Sequence, residues 1–342
     1  MEILTLPHGS LHWNPDLTSR WTAIAALSGR PDPFSCTPAW QLAFHDAFAP
    51  RRRLFIHADA GNVLAFAEMM LTSGHILLAP LESHWISASP LLGPEAAELF
   101  VHALPGLAVF YNGRLPCFLI GGLEEDSTLI PRISRSTGGL FRLMKQPLSL
   151  QRSASLEDGM DGYLSRRSGN FRSKMKKAHR RAAERDIRFE RVIPSTPEQA
   201  DVIYARMTAV EEKSWKGRDH CGMTEPPSLE FYRSMIRRLS LYRGGRVMFA
   251  VHEGRDIGFI FGGVAGQFYR GQQFSYDADW KAFSVGDLLQ LEQISWLCEE
   301  GVLRYDMGMS DHPSMAYKTH WAEMELSLHA WLLVPQLLHS AC

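Results

Sequence analysis

The amino-acid sequence predicts a layered α/β fold made of two halves, and three observations carry that prediction. The second half reads as three helices, an antiparallel meander, one further helix and two strands, which is not the alternation of a βαβ ladder. The first half has a similar mixture, punctuated by Pro90, Gly93, Pro94, Pro105, Gly121 and Gly122. The chain has 342 residues, 45% hydrophobic and 21% charged, which supplies one large or two medium cores. This composition excludes disordered, collagen-like and disulfide-scaffold classes. The halves are drawn at residues 1–150 and 151–342. No internal repeat is visible in the sequence.

In the first half, Trp21 to Leu27 is a short helical segment. Pro38 to Phe48 is another, with Trp40, Ala43, Phe44 and Ala47 at helical spacing. Leu54 to His57 and Val63 to Leu71 read as neighbouring strands around the turn Asp59-Ala60-Gly61-Asn62. Strand-like segments follow at His75 to Ala79, Leu107 to Phe110 and Pro116 to Ile120. The pattern of Leu140 to Leu150 is ambiguous. In the second half, helices are expected over Asp161 to Arg185, Pro197 to Lys213 and Leu229 to Leu241. Arg246 to His252 and Asp256 to Val264 flank the turn Glu253-Gly254-Arg255, and Phe268 to Tyr276 is the next strand. Gly286 to Glu300 is a helix stopped by Gly301. Leu303 to Met307 and Glu323 to Trp331 are the last strands.

The five cysteines, Cys36, Cys117, Cys221, Cys298 and Cys342, are scattered and contain no CxxC. Neither a zinc site nor a disulfide framework is expected, and reduced cytoplasmic thiols are the simplest reading. The N-terminus lacks the basic start and apolar run of a signal peptide. No stretch reaches the roughly 18 apolar residues of a membrane span. The expected location is the cytoplasm, with the inner membrane face as a weaker, peripheral alternative.

The formal net charge of -1 conceals an uneven distribution. Between Arg166 and Arg191 stand eleven Lys or Arg residues against Glu184, Asp186 and Glu190, a block of +8. Phe171, Met175, Ala178 and Ala182 recur at spacings of four, three and four, so they can face a core while the cations face water. Two readings stand. One is a solvated helix face. The other is a surface for a phosphate-bearing partner such as a nucleotide-like cofactor, tRNA or an anionic lipid. Within the block, Arg172 and Lys176 sit early in the helix, one turn apart.

Several chemistries lack their motifs. There is no GxGxxG after a strand, no P-loop, no HExxH and no GxSxG. No histidine cluster has ligand spacing, and Asp311-His312 has no third ligand nearby, so no metal is expected. Two regions stand out instead. The first is Ser214-Trp215-Lys216-Gly217 after a helix. Trp215 and Lys216 read either as the rim of a pocket or as a core anchor beside an exposed lysine. The second runs from Ser275 to Trp321. Ser284, Val285, Gly286 and Asp287 open a helix whose first N–H groups can hold a phosphate, although Ser284 also fits a plain cap. Asp306 ends the following strand, and Tyr317-Lys318 follow. Lys318 can polarise an acyl carbonyl or pair with Asp306. Tyr317 can donate to a reacting oxygen or satisfy a buried hydrogen bond.

Taken in order, these segments resemble the FemAB-related, BioF2-like or CelD-like branch of the GNAT acyltransferase superfamily. The matching pieces are Asp32-Pro33-Phe34-Ser35 with Pro38-Ala39-Trp40, Phe171-Arg172-Ser173-Lys174, and Ser214-Trp215-Lys216-Gly217. The series continues with Tyr276-Asp277, Ser284-Val285-Gly286, Asp306-Met307-Gly308 and Tyr317-Lys318 to Trp321. The resemblance implies tandem GNAT-like domains with mixed, largely antiparallel sheets, the first of them a candidate acceptor-binding half. It implies direct transfer of an acyl group to a primary amine with no Ser or Cys nucleophile. The donor would be an acyl-CoA or related thioester, with no tightly bound cofactor. The acceptor would be an amino sugar, peptide or envelope precursor. An aminoacyl-tRNA-dependent ligase and a non-catalytic binding protein are the alternatives. Lys318, Tyr317 and Asp306 would be catalytic, and Tyr276 with Ser284 to Asp287 would hold the donor. Trp215, Lys216, Arg172, Lys176 and Trp321 would contact substrate. Two departures are visible. The loop Lys281-Ala282-Phe283-Ser284-Val285-Gly286-Asp287 lacks the usual Gln/Arg-x-x-Gly-x-Gly/Ala form, and Met307 stands where an aromatic is expected.

Overall fold

The computed structural model describes residues 4–6, 15–309 and 313–336. The pair Asp311-His312 lies outside the described residues. The chain divides into two compact units, Met1–Leu150 with Leu326–Cys342, and Gln151–Glu325. The C-terminal strand Met324–Pro335 has hydrogen-bonding partners in the first unit.

In chain order the first unit contains β1 (Leu4–Leu6), α1 (Pro15–Ala26), α2 (Pro38–Phe48), β2 (Leu54–Ala58), β3 (Val63–Met70), β4 (Ile76–Ala79) and β5 (Leu91–Leu92). It continues with α3 (Ala96–Phe110), β6 (Cys117–Leu123), α4 (Leu129–Ser136) and β7 (Phe141–Lys145). Strands β1 to β4 form an antiparallel run, β4 and β6 are parallel across α3, and the C-terminal strand lies antiparallel to β6. The strand period of two sends alternate residues to opposite faces. Phe55, Leu64 and Phe66 pack under α3 and α4 with Phe100, Phe118 and Ile133. Leu54, Ile56, Val63 and Ala65 pack under α1 and α2 with Trp21 and Leu42.

The second unit contains β8 (Ser149–Ser155), α5 (Gly159–Ser165), α6 (Gly169–Glu184), β9 (Arg188–Val192), α7 (Pro197–Glu211), α8 (Trp215–Arg218) and α9 (Ser228–Ser240). β10 (Gly245–His252), β11 (Arg255–Ala265), β12 (Phe268–Tyr276), α10 (Val285–Glu299) and β13 (Arg304–Met309) complete it. Its sheet runs β9-β10-β11-β12-β13-β8. Again there is an antiparallel run, a parallel step across one helix (α10) and a final antiparallel strand from elsewhere in the chain. The two sheets thus share one sequence of steps, although no repeat shows in the residues. The structure is a mixed α/β fold with largely antiparallel sheets.

Local chemistry explains the helix starts. Ser168 opens α6 by accepting from the Phe171 amide at 3.2 Å. Thr196 opens α7 in the same way, with Pro197 at the first turn and the Gln199 side chain accepting from the Ser195 amide. Met175, Ala178 and Ala182 of α6 are buried, as their spacing predicts. Leu107 to Phe110, predicted as a strand, is instead the end of α3. Pro105 and Gly106 mask that helix in the sequence, yet both lie on its exposed side. The helix α4 and the short strand β9 were not legible either.

Candidate functional site

In the second unit, β12 and β13 pair in parallel only at Phe268–Arg304, Tyr269–Tyr305 and Arg270–Asp306. Both strands then continue, β12 to Tyr276 and β13 to Met309, without pairing to each other. The parting coincides with a bulge. The β13–β8 register slips between Asp306 and Gly308, and Gly308 has φ +79°. A side chain at Gly308 would also meet the Arg270 guanidinium at 2.9 Å, the movable end of a long side chain, so it is the positive φ that calls for glycine here. The result is a V-shaped mouth where the two strands no longer pair with each other.

Side chains converge on this mouth from three segments. Lys318, in the 3₁₀ segment Pro313–His320, is 8% exposed and donates from Nζ to the Met309 carbonyl at the tip of β13, at 2.6 Å. Tyr317 beside it is 39% exposed and meets Phe274 edge-on at 5.8 Å. Burial on its packed side pushes its phenol up to about 12, so it stays a hydrogen-bond donor at neutral pH. Lys216 donates to Gln273 Oε1 at 2.9 Å and to the Phe274 carbonyl at 2.8 Å, and Gln273 passes a hydrogen bond to the Tyr232 hydroxyl at 2.6 Å.

Lys216 and Trp215 reverse one of the two sequence-based readings. Trp215 is 55% exposed and no core anchor, while Lys216 is the one drawn inward. Burial holds the Lys216 ammonium below the ordinary lysine pKa, against the opposing charge of Glu211. The unfolded chain therefore binds this proton more readily than the folded one. Stability gains with rising pH between the lowered value and the ordinary ~10.4. Relative to Lys216→Met, the native protein should gain stability as pH climbs from 7 towards 10. Urea unfolding of both proteins across that range tests this, and a constant difference between them would refute it.

The other predicted residues fall into three groups. Asp306 is 1% exposed and forms two hydrogen bonds with Arg304, at 2.7 and 2.9 Å. Its ion pair is thus with Arg304, while Lys318 takes a carbonyl. Trp321 is 5% exposed, stacked edge-on against Phe171 at 5.1 Å, with its carbonyl accepting from the Tyr163 hydroxyl. It anchors the core and does not line the mouth. At the start of α10, Ser284 adopts φ +58° and makes no side-chain cap. Val285 and Gly286 are buried. The space left by Gly286 takes the Tyr276 ring, which lies 2.9 Å from where a Cβ would be. Asp287 forms an ion pair with Lys174 at 2.7 Å, which neutralises the one acidic group in that first turn.

The basic block is mostly committed to neighbours. Arg166 and Arg167 bind Glu323, Arg172 donates to the Leu164 carbonyl, Arg181 donates to the Ala282 carbonyl and Arg191 binds Glu299. Arg180 pairs with Glu184, Arg188 with Asp186, and Arg185 covers the Phe283 ring. Only Lys176 and Lys177 are without such a partner among the described residues. The block is chiefly a solvated face whose cations pair with neighbouring acids and carbonyls. Sequence reasoning missed Gln273, Tyr232 and Arg304. Two signals were present: Gln272-Gln273 falls inside an aromatic-rich strand, and Arg304 lies two residues from Asp306 on one strand face.

A family model described as an acetyltransferase (GNAT) domain matches residues 169–319. The chain carries a GNAT domain. This makes it a transferase of the acyltransferase class. The match spans the helix α6, the meander, the V-shaped mouth and Lys318. Solved structures share the fold over nearly the whole chain. A conserved protein of unknown function from Bacteroides thetaiotaomicron is 10% identical, with TM-score 0.64, covering 97% of this chain and 100% of its own. FemX is 11% identical, with TM-score 0.64, covering 96% and 97%. The C-terminal domain of a putative lysylphosphatidylglycerol synthetase from Agrobacterium fabrum is 12% identical, with TM-score 0.57, covering 94% and 92%. At these identities the likeness concerns fold. No curated protein matches the chain significantly. Among the described residues, no helix is long and apolar enough to cross a membrane, and no group of three His, Cys, Asp or Glu side chains is placed to hold a metal.

Proposed function

We propose that the protein is an N-acyltransferase of the FemAB-related, BioF2-like kind, moving an acyl group from an acyl-CoA or related thioester to a primary amine. The observation that carries this reading is the mouth between β12 and β13, with Lys318 fastened to the Met309 carbonyl at its tip. The stretch of β12 that no longer pairs with β13 offers backbone groups to an extended donor. The amine lone pair attacks the thioester carbonyl, a C–N bond forms, the C–S bond breaks, and the amine proton leaves to solvent while the thiolate departs. The Lys318 ammonium offers a positive charge to the carbonyl oxygen as it becomes an oxyanion, and positioning supplies the remainder. The Tyr317 phenol donates a hydrogen bond to the departing sulfur. The acceptor class we favour is an amino sugar, peptide or envelope precursor, with the first unit as the acceptor-binding half. Acyl-CoA chemistry sets the work in the cytoplasm. The paired state of the basic block gives no support to a tRNA donor.

The test is acceptor-dependent thiol release across panels of acyl-CoA thioesters and primary amines. Release that requires both partners, with the amide found by mass spectrometry, is the expected outcome. No release from any thioester in the presence of any amine would overturn the reading.

A further inference from the structure

The first unit contains a cavity that the transfer chemistry does not use. It measures about 400 Å³ and lies where α2 passes into β2, lined by Phe48 and the consecutive Arg51, Arg52 and Arg53. Glu68 lines it too, but its carboxylate is already bound by Arg53 at 3.2 Å and by the Tyr111 hydroxyl. Arg52 donates one Nη1 hydrogen bond to Ser83 Oγ at 2.7 Å. Arg51 is exposed and makes no hydrogen bond or ion pair among the described residues. Two guanidinium groups therefore remain with donors to offer.

The loop carrying Ser83 packs against two of the lining residues, Arg52 and Phe48. The His84 ring meets Phe48 edge-on at 5.0 Å, and the half-buried Trp85 lies 6.3 Å from it. This loop is held in a costly shape. Ile86, a β-branched residue, has φ +54°. The fully buried Glu82 carboxylate fixes it by accepting from the amides of Trp85, Ile86 and Ser87 at 2.6, 3.3 and 3.2 Å. β6 yields as well, since a side chain at Gly121 would strike the Ile86 methyl at 2.2 Å. Here backbone strain is tolerated and over-determined, and its product is a rigid His84–Trp85 shelf beside Arg52.

We propose that this cavity and shelf form a binding site for a phosphate ester with a planar or apolar substituent. Arg51 and Arg52 take the phosphate through their planar forks, and the substituent lies on His84 and Trp85. The site stands on geometry confined to the first unit and does not depend on which group is transferred at Lys318.

Calorimetric titration of the full chain with phenyl phosphate tests the proposal, with inorganic phosphate and phenol as comparators. Phenyl phosphate should bind at least tenfold more tightly than either. Arg51→Ala, on the exposed rim, should lower that affinity at least tenfold with an unchanged melting temperature, and Trp85→Leu should erase the preference for phenyl phosphate over inorganic phosphate. Flotation with phosphatidylcholine vesicles, with and without phosphatidic acid, separates the sources. Co-flotation only with phosphatidic acid identifies a lipid headgroup, and phenyl phosphate binding without flotation identifies a soluble ester. Equal binding of phenyl phosphate and phenol, or an affinity untouched by Arg51→Ala, would overturn it. Loss of thiol release leaves these binding results standing, so the two readings fail separately.

Discussion

Lys318→Met should lower kcat/KM for acyl transfer by about 10²–10³, the usual effect of removing one charge-stabilising donor from an acyl-transfer site. Methionine keeps the length and apolar contacts of the lysine stem and removes only the ammonium. The folded protein should survive, because the substitution keeps the packed stem and gives up the hydrogen bond to Met309. Its loss costs about 1–3 kcal/mol. The KM for the amine should stay close to the native value, since an oxyanion-stabilising charge acts in the transition state rather than on the bound acceptor. Tyr317→Phe removes one donor from a leaving group that already departs as an anion, so its effect should be smaller. Steady-state thiol release by both variants, with circular dichroism as the control for folding, makes the comparison. Thiol release by Lys318→Met within threefold of the native rate would remove Lys318 from the chemistry.

Such a claim about one lysine shows where sequence reasoning reached and where it stopped. The helix Pro38–Phe48 and the strand Phe268–Tyr276 were legible to their end residues because their patterns are local: proline at a first turn, and an aromatic-rich run between turns. α3 was not, because a proline and a glycine that look like breakers face solvent. Lys318 was legible as a candidate because it follows a strand end at short range. Its partner was not, since the Met309 carbonyl has no side-chain signature. Lys216 and Trp215 were legible as a pair but not in their orientation, which is fixed by Gln273 and Phe274 more than fifty residues away. The return of the last strand to the first unit was also invisible, because a strand's own pattern does not name the edge it joins.

The largest stability effect should come from Asp306→Ala, and the reason also decides what Asp306 does. Its carboxylate is 1% exposed and the Arg304 side chain 16% exposed, with two hydrogen bonds between them and the guanidinium lying 4.4 Å from the Phe268 ring centroid. Removing one partner of such a buried pair strands the other charge, at a cost of about 3–5 kcal/mol. Urea unfolding should register that loss in its midpoint. Arg270–Asp306 is also the last parallel pair before β12 and β13 separate, so the same substitution should loosen the mouth and depress transfer. A loss of activity alone thus leaves open whether the carboxylate touches the reaction. The double substitution Arg304→Met with Asp306→Leu separates the two, because replacing a whole buried ion pair by apolar groups of similar volume is often neutral. If the pair only holds the strands at the point of parting, the double variant should regain most of the stability and most of the thiol release. Recovered stability with transfer still absent would make Asp306 a participant in the chemistry. We expect recovery of both, because the Arg304 guanidinium binds both Asp306 oxygens and burial shields them from an incoming acceptor.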